Sequence, residues 1–209
     1  MKKKNLKKAV KIGIDIDNVI SDSYPAYLDK FNIQYKTDIK IHQISEFYYL
    51  NKIIEENKNI PGRKIVNFID ELVLDEEFQL NLPPIDDSVR VINNWVSKGY
   101  KIHYVTARPV EVREITIKWL EKHGYWVKGA ELDLFNSRKG FSSDAEYKAD
   151  IAVKHKICVF IEDALEIALK MPIPVLLFDR PWNKFKAKKN LIRISSWKEI
   201  EDTLPKVLK

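Results

Sequence analysis

Cysteine is nearly absent from the 209-residue chain: Cys158 is the single one. No internal disulfide and no cysteine-based zinc site can form, and a reduced, cytoplasmic setting is expected. The apolar run Ile157-Cys158-Val159-Phe160-Ile161 predicts a buried core position for it. Long apolar runs are missing as well. The longest uncharged one, Met171 to Phe178, has eight residues including two prolines, far below the roughly 20 that a membrane-spanning helix needs. A basic start is how a signal peptide opens, but Lys11, Asp15 and Asp17 interrupt the apolar stretch that would have to follow. The body of the chain also lacks surplus positive charge. Lys+Arg 36 against Asp+Glu 30 leaves +6, and Lys2, Lys3, Lys4, Lys7, Lys8 and Lys11 supply all of it. That excess reads as a solvated tail over residues 1–9. No nucleic-acid-reading motif accompanies it, so neither nucleic acid nor a membrane is expected as a partner.

What is present is 45% apolar residues, enough for one α/β domain with an insertion. Short β-rich apolar runs at Val10–Ile16, Tyr100–Thr106, Glu131–Leu134, Ile157–Ile161, Pro174–Phe178 and Leu191–Ile194 alternate with amphipathic stretches. This alternation predicts a parallel sheet covered on both faces. Helices are expected over Asp87–Ser97, Glu111–His123, Ala145–His155, Ala164–Lys170 and Trp197 to about Leu208, with Gly124 as a C-cap and Ser196 as an N-cap. Between Tyr24 and Pro84 the apolar period is helical (Tyr24–Phe31, Ile65–Leu72), which predicts a helical insertion after the first strand.

Chemistry gathers where strands end. The first strand runs into Asp15-Ile16-Asp17-Asn18-Val19, and in an open α/β sheet ligands bind at the carboxyl ends of strands. Two carboxylates there either terminate the strand and cap a turn or hold a cation that offsets the cost of burying them together. The second strand ends Val105-Thr106-Ala107-Arg108-Pro109, a hydroxyl and backbone N–H groups suited to an anion. The fourth ends Ile161-Glu162-Asp163, and Lys148 lies on the preceding helix. Asp15, Asp17, Glu162 and Asp163, from two strands, make an oxygen-rich site for a hard cation such as Mg²⁺.

These four motifs, Asp15-Ile16-Asp17-Asn18-Val19, Val105-Thr106, Lys148 and Ile161-Glu162-Asp163, resemble those of the haloacid-dehalogenase-like hydrolase superfamily. The chain is most similar to its 5′(3′)-deoxyribonucleotidase group and the bacterial relatives of that group. The resemblance implies a doubly wound, mainly parallel Rossmann-like α/β sheet over residues 1–23 and 85–209, with a small helical cap inserted at 24–84. It implies a Mg²⁺-dependent phosphomonoesterase acting on a small phosphomonoester, a nucleotide by preference. Asp15 would be the nucleophile and Asp17 the acid and base. Thr106 and Lys148 would bind the phosphoryl oxygens. Asp15, Asp17 through its carbonyl, and Asp163 would hold the metal, with Glu162 in support. Asn18 stands where the family usually has glycine, so a left-handed turn is expected there.

Other residues carry two readings each. Arg108 either clamps phosphate or lies in solvent at a helix start. Phe47 and Tyr48 of the run Glu46-Phe47-Tyr48-Tyr49 either stack on a base or form the cap's own core. Trp182 and Asn183 either close one side of the phosphate pocket or belong to a proline-fixed loop packed under the sheet edge. The histidines at 42, 103, 123 and 155 show no metal-ligand spacing. Competing functions are a sugar-phosphate phosphatase, a phosphomutase and a phosphoacceptor signalling domain, the last disfavoured by the Asp–x–Asp spacing and the insertion.

Overall fold

The computed structural model describes residues 9–46, 63–136, 140–184 and 190–208. Six strands form one parallel sheet: β1 (Lys11–Ile14), β2 (Lys101–Pro109), β3 (Glu131–Phe135), β4 (Val159–Glu162), β5 (Val175–Phe178) and β6 (Leu191–Ile194). Their order is β3-β2-β1-β4-β5-β6. The chain therefore leaves β1 for one side of the sheet and returns to its other side at β4, which places a topological switch point beside β1. Ile12, Gly13 and Ile14, which point to alternate faces, are all buried, as expected of a central parallel strand covered on both faces.

The helices are α1 (Ser23–Tyr35), α2 (Arg63–Leu74), α3 (Glu76–Leu80), α4 (Ser88–Ser97), α5 (Arg113–Lys122), α6 (Asp144–Lys154), α7 (Leu165–Lys170) and α8 (Trp197–Val207). Local chemistry sets their ends. Ser143 and Ser196 accept the N–H of Glu146 and Glu199 and so open α6 and α8. Gly124, at φ +77°, closes α5. Among the described residues three helices, α1 to α3, lie between β1 and β2 ahead of α4, and an apolar cluster of Leu28, Phe31, Ile44 and Phe68 sits among them, joined by Trp182 from beyond β5. None of the helices is long and apolar enough to cross a membrane among the described residues.

Two expectations are corrected. Cys158 is exposed, because β4 begins one residue later and leaves it on the open approach to the strand. The second strand also runs past Thr106 to Pro109, with its register against β3 shifting between Thr106 and Pro109. A short 3₁₀ turn at Val110–Val112 follows, so α5 starts only at Arg113. Pro109 is extended at φ −67°, ψ 153°, which carries Arg108 along the sheet edge instead of into a helix.

Close packing at Gly13 makes the first prediction. A Cβ there would stand 2.4 Å from the Phe160 ring on neighbouring β4, and Phe160 is fully buried. Gly13→Ala is expected to lower stability by about 1–3 kcal/mol, the usual cost of overpacking. Denaturant unfolding would measure it, and a Gly13→Ala/Phe160→Leu double variant should recover part of the loss.

Candidate active site

The carboxyl ends of β1 and β4 bring three acids and one lysine together. Asp15 extends the pairing one residue beyond β1, its N–H donating to Ile161 O at 3.0 Å. Its carboxylate accepts the Ile16 N–H at 2.8 Å and faces Lys148 Nζ, also at 2.8 Å. Lys148 reaches across from α6 and touches Glu162 Oε2 at 3.0 Å. The other Glu162 oxygen accepts the N–H groups of Asp163 and Ala164, at 3.1 Å each. Glu162 is thereby committed to Lys148 and to the turn after β4, while Asp15, Glu162 and Asp163 each present an oxygen within 4.8 Å of one another.

All four residues are buried, so their charges are strongly coupled. Burial, then the Glu162 charge, hold the Asp15 carboxyl well above the usual carboxylate range, with Lys148 opposing. Asp163 is pushed up to about 7 by burial and by Asp15. Burial alone would lower Lys148, yet Asp15 and Glu162 outweigh it and keep the ammonium charged. One positive charge thus faces three buried acids. An all-oxygen donor set with more negative than positive charge fits a hard divalent cation.

Asp17 sits apart from this cluster. Arg108 grips it bidentately, Nε to Oδ2 at 2.8 Å and a terminal nitrogen to Oδ1 at 2.7 Å. Burial by itself would raise Asp17, but the Arg108 charge and hydrogen bonds prevail and hold it below the ordinary range. The turn that separates the two aspartates passes through Asn18 at φ 57°, the left-handed conformation expected of it. The Asn18 side chain accepts the Tyr24 N–H at 2.8 Å, tying the turn to α1. Thr106 is buried at the end of β2, its hydroxyl oxygen accepting the Arg108 N–H at 3.1 Å.

A cleft of about 630 Å³ opens beside this pair. Asp17 and Arg108 line it together with Tyr24, Tyr27, Ile69 and Val73 from α1 and α2, and the acids Asp70 and Glu111 also border it. Tyr24 and Tyr27 carry no sequence motif; their i, i+3 spacing on a helix was the only signal that they share a face.

Trp182 and Asn183 lie behind the acids, not in the cleft. Trp182 Nε1 donates to Asp163 Oδ2 at 2.9 Å and Asn183 Nδ2 donates to Asp163 O at 2.6 Å; both side chains are buried. Both grip Asp163, because the loop after β5 folds under the end of β4. Phe47 and Tyr48 lie outside the described residues.

A family model described as 5′ nucleotidase, deoxy (pyrimidine), cytosolic type C matches residues 8–208. A nucleotidase of Clostridium acetobutylicum is 27% identical over 193 residues, covering 90% of each chain. A solved structure described as a predicted phosphatase from the same organism superposes with a TM-score of 0.66 at 13% identity, over 95% of this chain and 99% of that one. The Bacillus subtilis HAD-hydrolase YfnB, solved bound to magnesium, does so with a TM-score of 0.59 at 16% identity, over 95% and 100%.

Proposed function

The chain belongs to the cytosolic type C deoxy-5′-nucleotidase family of haloacid-dehalogenase-like hydrolases, and from that premise we propose that it hydrolyses nucleoside monophosphates through a phosphorylated Asp15. The observation that carries the reading is the convergence of Asp15, Lys148, Glu162 and Asp163 at one sheet edge, beside a cleft that the Asp17–Arg108 pair lines. A phosphate at that pair leaves the rest of the cleft, with its two tyrosines, for the sugar and base.

Asp15 and Asp163, with the Asp17 carbonyl, are the residues to hold Mg²⁺, which when bound supplies charge neutralisation to the phosphoryl oxygens. The rest of the work falls to the side chains. The Asp15 carboxylate attacks phosphorus as the bond from phosphorus to the ester oxygen breaks, and Asp17 gives that oxygen its proton. Water then attacks the aspartyl phosphate, Asp17 takes the proton back, and inorganic phosphate leaves with Asp15 restored. Lys148 and the Thr106 hydroxyl proton neutralise and bind the equatorial oxygens. Ionised by Arg108, Asp17 is ready as the base of the second step. For the first it must hold a proton, so the guanidinium has to exchange Asp17 for the substrate's phosphate, its natural bidentate competitor. The insertion between β1 and α4, which contributes α1, α2 and α3 among the described residues, acts as the cap that excludes water during both steps.

A substrate panel tests this. Nucleoside monophosphates, sugar phosphates and p-nitrophenyl phosphate are compared with Mg²⁺ and after chelation. Nucleotides should be turned over fastest, and chelation should abolish turnover and lower the melting temperature. Asp17→Asn should lose about 10²–10⁴-fold on nucleotides, the usual worth of proton transfer; on the aryl ester, whose leaving oxygen needs no proton, the first step should survive and phosphorylated protein should accumulate, because the base of the second step is gone. Equal turnover of all three groups would remove the nucleotide assignment and leave the phosphatase. Turnover that survives chelation would remove the cation.

A further inference from the structure

Two of the four histidines meet on the face of the sheet that α6 covers. The parallel register sets His103 of β2 beside Glu131 of β3, and Val105 beside Asp133, so His103, Glu131 and Asp133 project to the same side. His155, the residue that caps α6, folds down onto them, its ring 4.3 Å from that of His103 and edge-on to it. Both Nε2 atoms point at one oxygen: Asp133 Oδ2 lies 2.7 Å from His103 Nε2 and 3.4 Å from His155 Nε2. Both Nδ1 atoms face the opposite carboxylate, with Glu131 Oε2 3.4 Å from His103 and 3.2 Å from His155. Lys11 Nζ holds the remaining Glu131 oxygen at 2.6 Å.

We infer that His103, His155 and Asp133 form a second metal site, selective for a borderline transition ion such as Zn²⁺, with Glu131 orienting both imidazoles from behind. Three observations support the assignment. His103 is fully buried and its Nδ1 makes no hydrogen bond, the Glu131 oxygen at 3.4 Å being too poorly placed to accept one. An ordinary core histidine would have satisfied that nitrogen. Secondly, two Nε2 atoms face one carboxylate while a second carboxylate, Glu131, is bonded to His155 Nδ1 at 3.2 Å on the far side, the pattern by which outer-shell acids fix the tautomer of metal-binding histidines. Thirdly, Asp133 Oδ2 lies 2.7 and 3.4 Å from the two Nε2 atoms, and the three groups present ligand atoms within 4.8 Å of one another, against about 3.3 Å between neighbours around a tetrahedral ion bound at roughly 2.0 Å. His155 and Asp133 keep 23% and 25% of their side-chain surface exposed, which leaves a way in for the ion and a position for water.

Donor chemistry separates this site from the catalytic one. Imidazole nitrogen suits Zn²⁺, Ni²⁺ and Cu²⁺, whereas Mg²⁺ prefers the all-oxygen cluster around Asp15. The two are linked by α6: His155 follows Lys148 by seven residues, about 10 Å of helix. An ion here would pin the far end of the helix that delivers Lys148, tying it to β2 and β3.

The test uses the full chain without a polyhistidine tag, held in saturating Mg²⁺ so that the oxygen cluster is filled. Co²⁺ is titrated in and followed by its visible absorption, then displaced with Zn²⁺, and melting is recorded with and without Zn²⁺. One equivalent of Co²⁺ with the intense bands of four- or five-coordination, displaced by Zn²⁺, is expected of the wild type, together with a Zn²⁺-dependent rise in melting temperature. His155→Gln should abolish both while keeping its Mg²⁺-supported phosphatase activity, and Glu131→Gln should weaken binding by about 10–100-fold. Co²⁺ binding that is the same in His155→Gln, or wild-type protein that takes up no Co²⁺ under Mg²⁺, would overturn the site and leave the four groups as a proton-sharing cluster. Neither result bears on hydrolysis at Asp15, which the substrate panel tests separately.

Discussion

Asp15→Asn is expected to cut phosphatase activity by about four orders of magnitude or more, the scale seen when a covalent nucleophile is removed, while the protein stays folded. An amide cannot form the acyl phosphate, and no neighbour can substitute. Asp17 is held by Arg108, and Glu162 has one oxygen on Lys148 and the other on two backbone N–H groups. The fold should tolerate the change because an Asn oxygen can still accept the Ile16 N–H that Asp15 accepts at 2.8 Å. Lys148 also keeps Glu162, so three buried acids against one lysine become two. The metal-free variant should therefore melt at or above the wild-type temperature. Steady-state turnover, a melting curve and mass-spectrometric trapping of the phosphorylated protein check the three parts. Activity above about one per cent of wild type, with no protein-bound phosphate in either form, would show that water attacks phosphorus directly.

Much of this was legible in the residues. The six strands could be placed because each central one is a short apolar run, buried on both faces and ending in polar residues. Their order could not, since nothing in Lys11–Ile14 says that β2 and β4 flank it. Asp15 was readable from local pattern; its dependence on Lys148 came through the family resemblance. The Asp17–Arg108 pair joins residues 91 apart in sequence, and Arg108 read equally well as a solvent-exposed helix start. It took the extension of β2 through Pro109 to aim the guanidinium at Asp17. Trp182 and Asn183 carried two readings, because a loop's composition does not say which side of a carboxylate it meets. His103 and Asp133 lie 30 residues apart and His155 farther along still, a separation that no ligand-spacing rule captures; strand register and one helix cap bring them together.

The second large effect is on stability. Lys148 lies between Asp15 and Glu162, at 2.8 and 3.0 Å, with side-chain exposures of 1%, 8% and 0% for the three. Lys148→Met fills similar volume and removes the ammonium that touches both acids, so two buried carboxylates lose their shared ion pair. Breaking such a pair costs about 3–5 kcal/mol, which for a chain of this length lowers the melting temperature by roughly 6–20 °C. The pH dependence follows from the same charges. Burial already raises Asp15 and Glu162, and Lys148 opposes that rise in both. Without the lysine both carboxyls sit further above their unfolded values, so the folded variant binds more protons than its unfolded chain. Its stability must therefore fall as pH rises above the ordinary carboxylate range, and its deficit against wild type must shrink as pH falls back toward it. Saturating Mg²⁺ should return part of the lost stability by placing charge on Asp15 and Asp163, yet turnover should remain down by about 10²–10³-fold, the worth of one donor aimed at developing negative charge. Urea unfolding of both proteins from pH 5 to 8, with and without Mg²⁺, measures each part. A deficit that stays constant across that range would mean that Lys148 contributes packing alone, and its ion pairs with Asp15 and Glu162 would not be what stabilises the site.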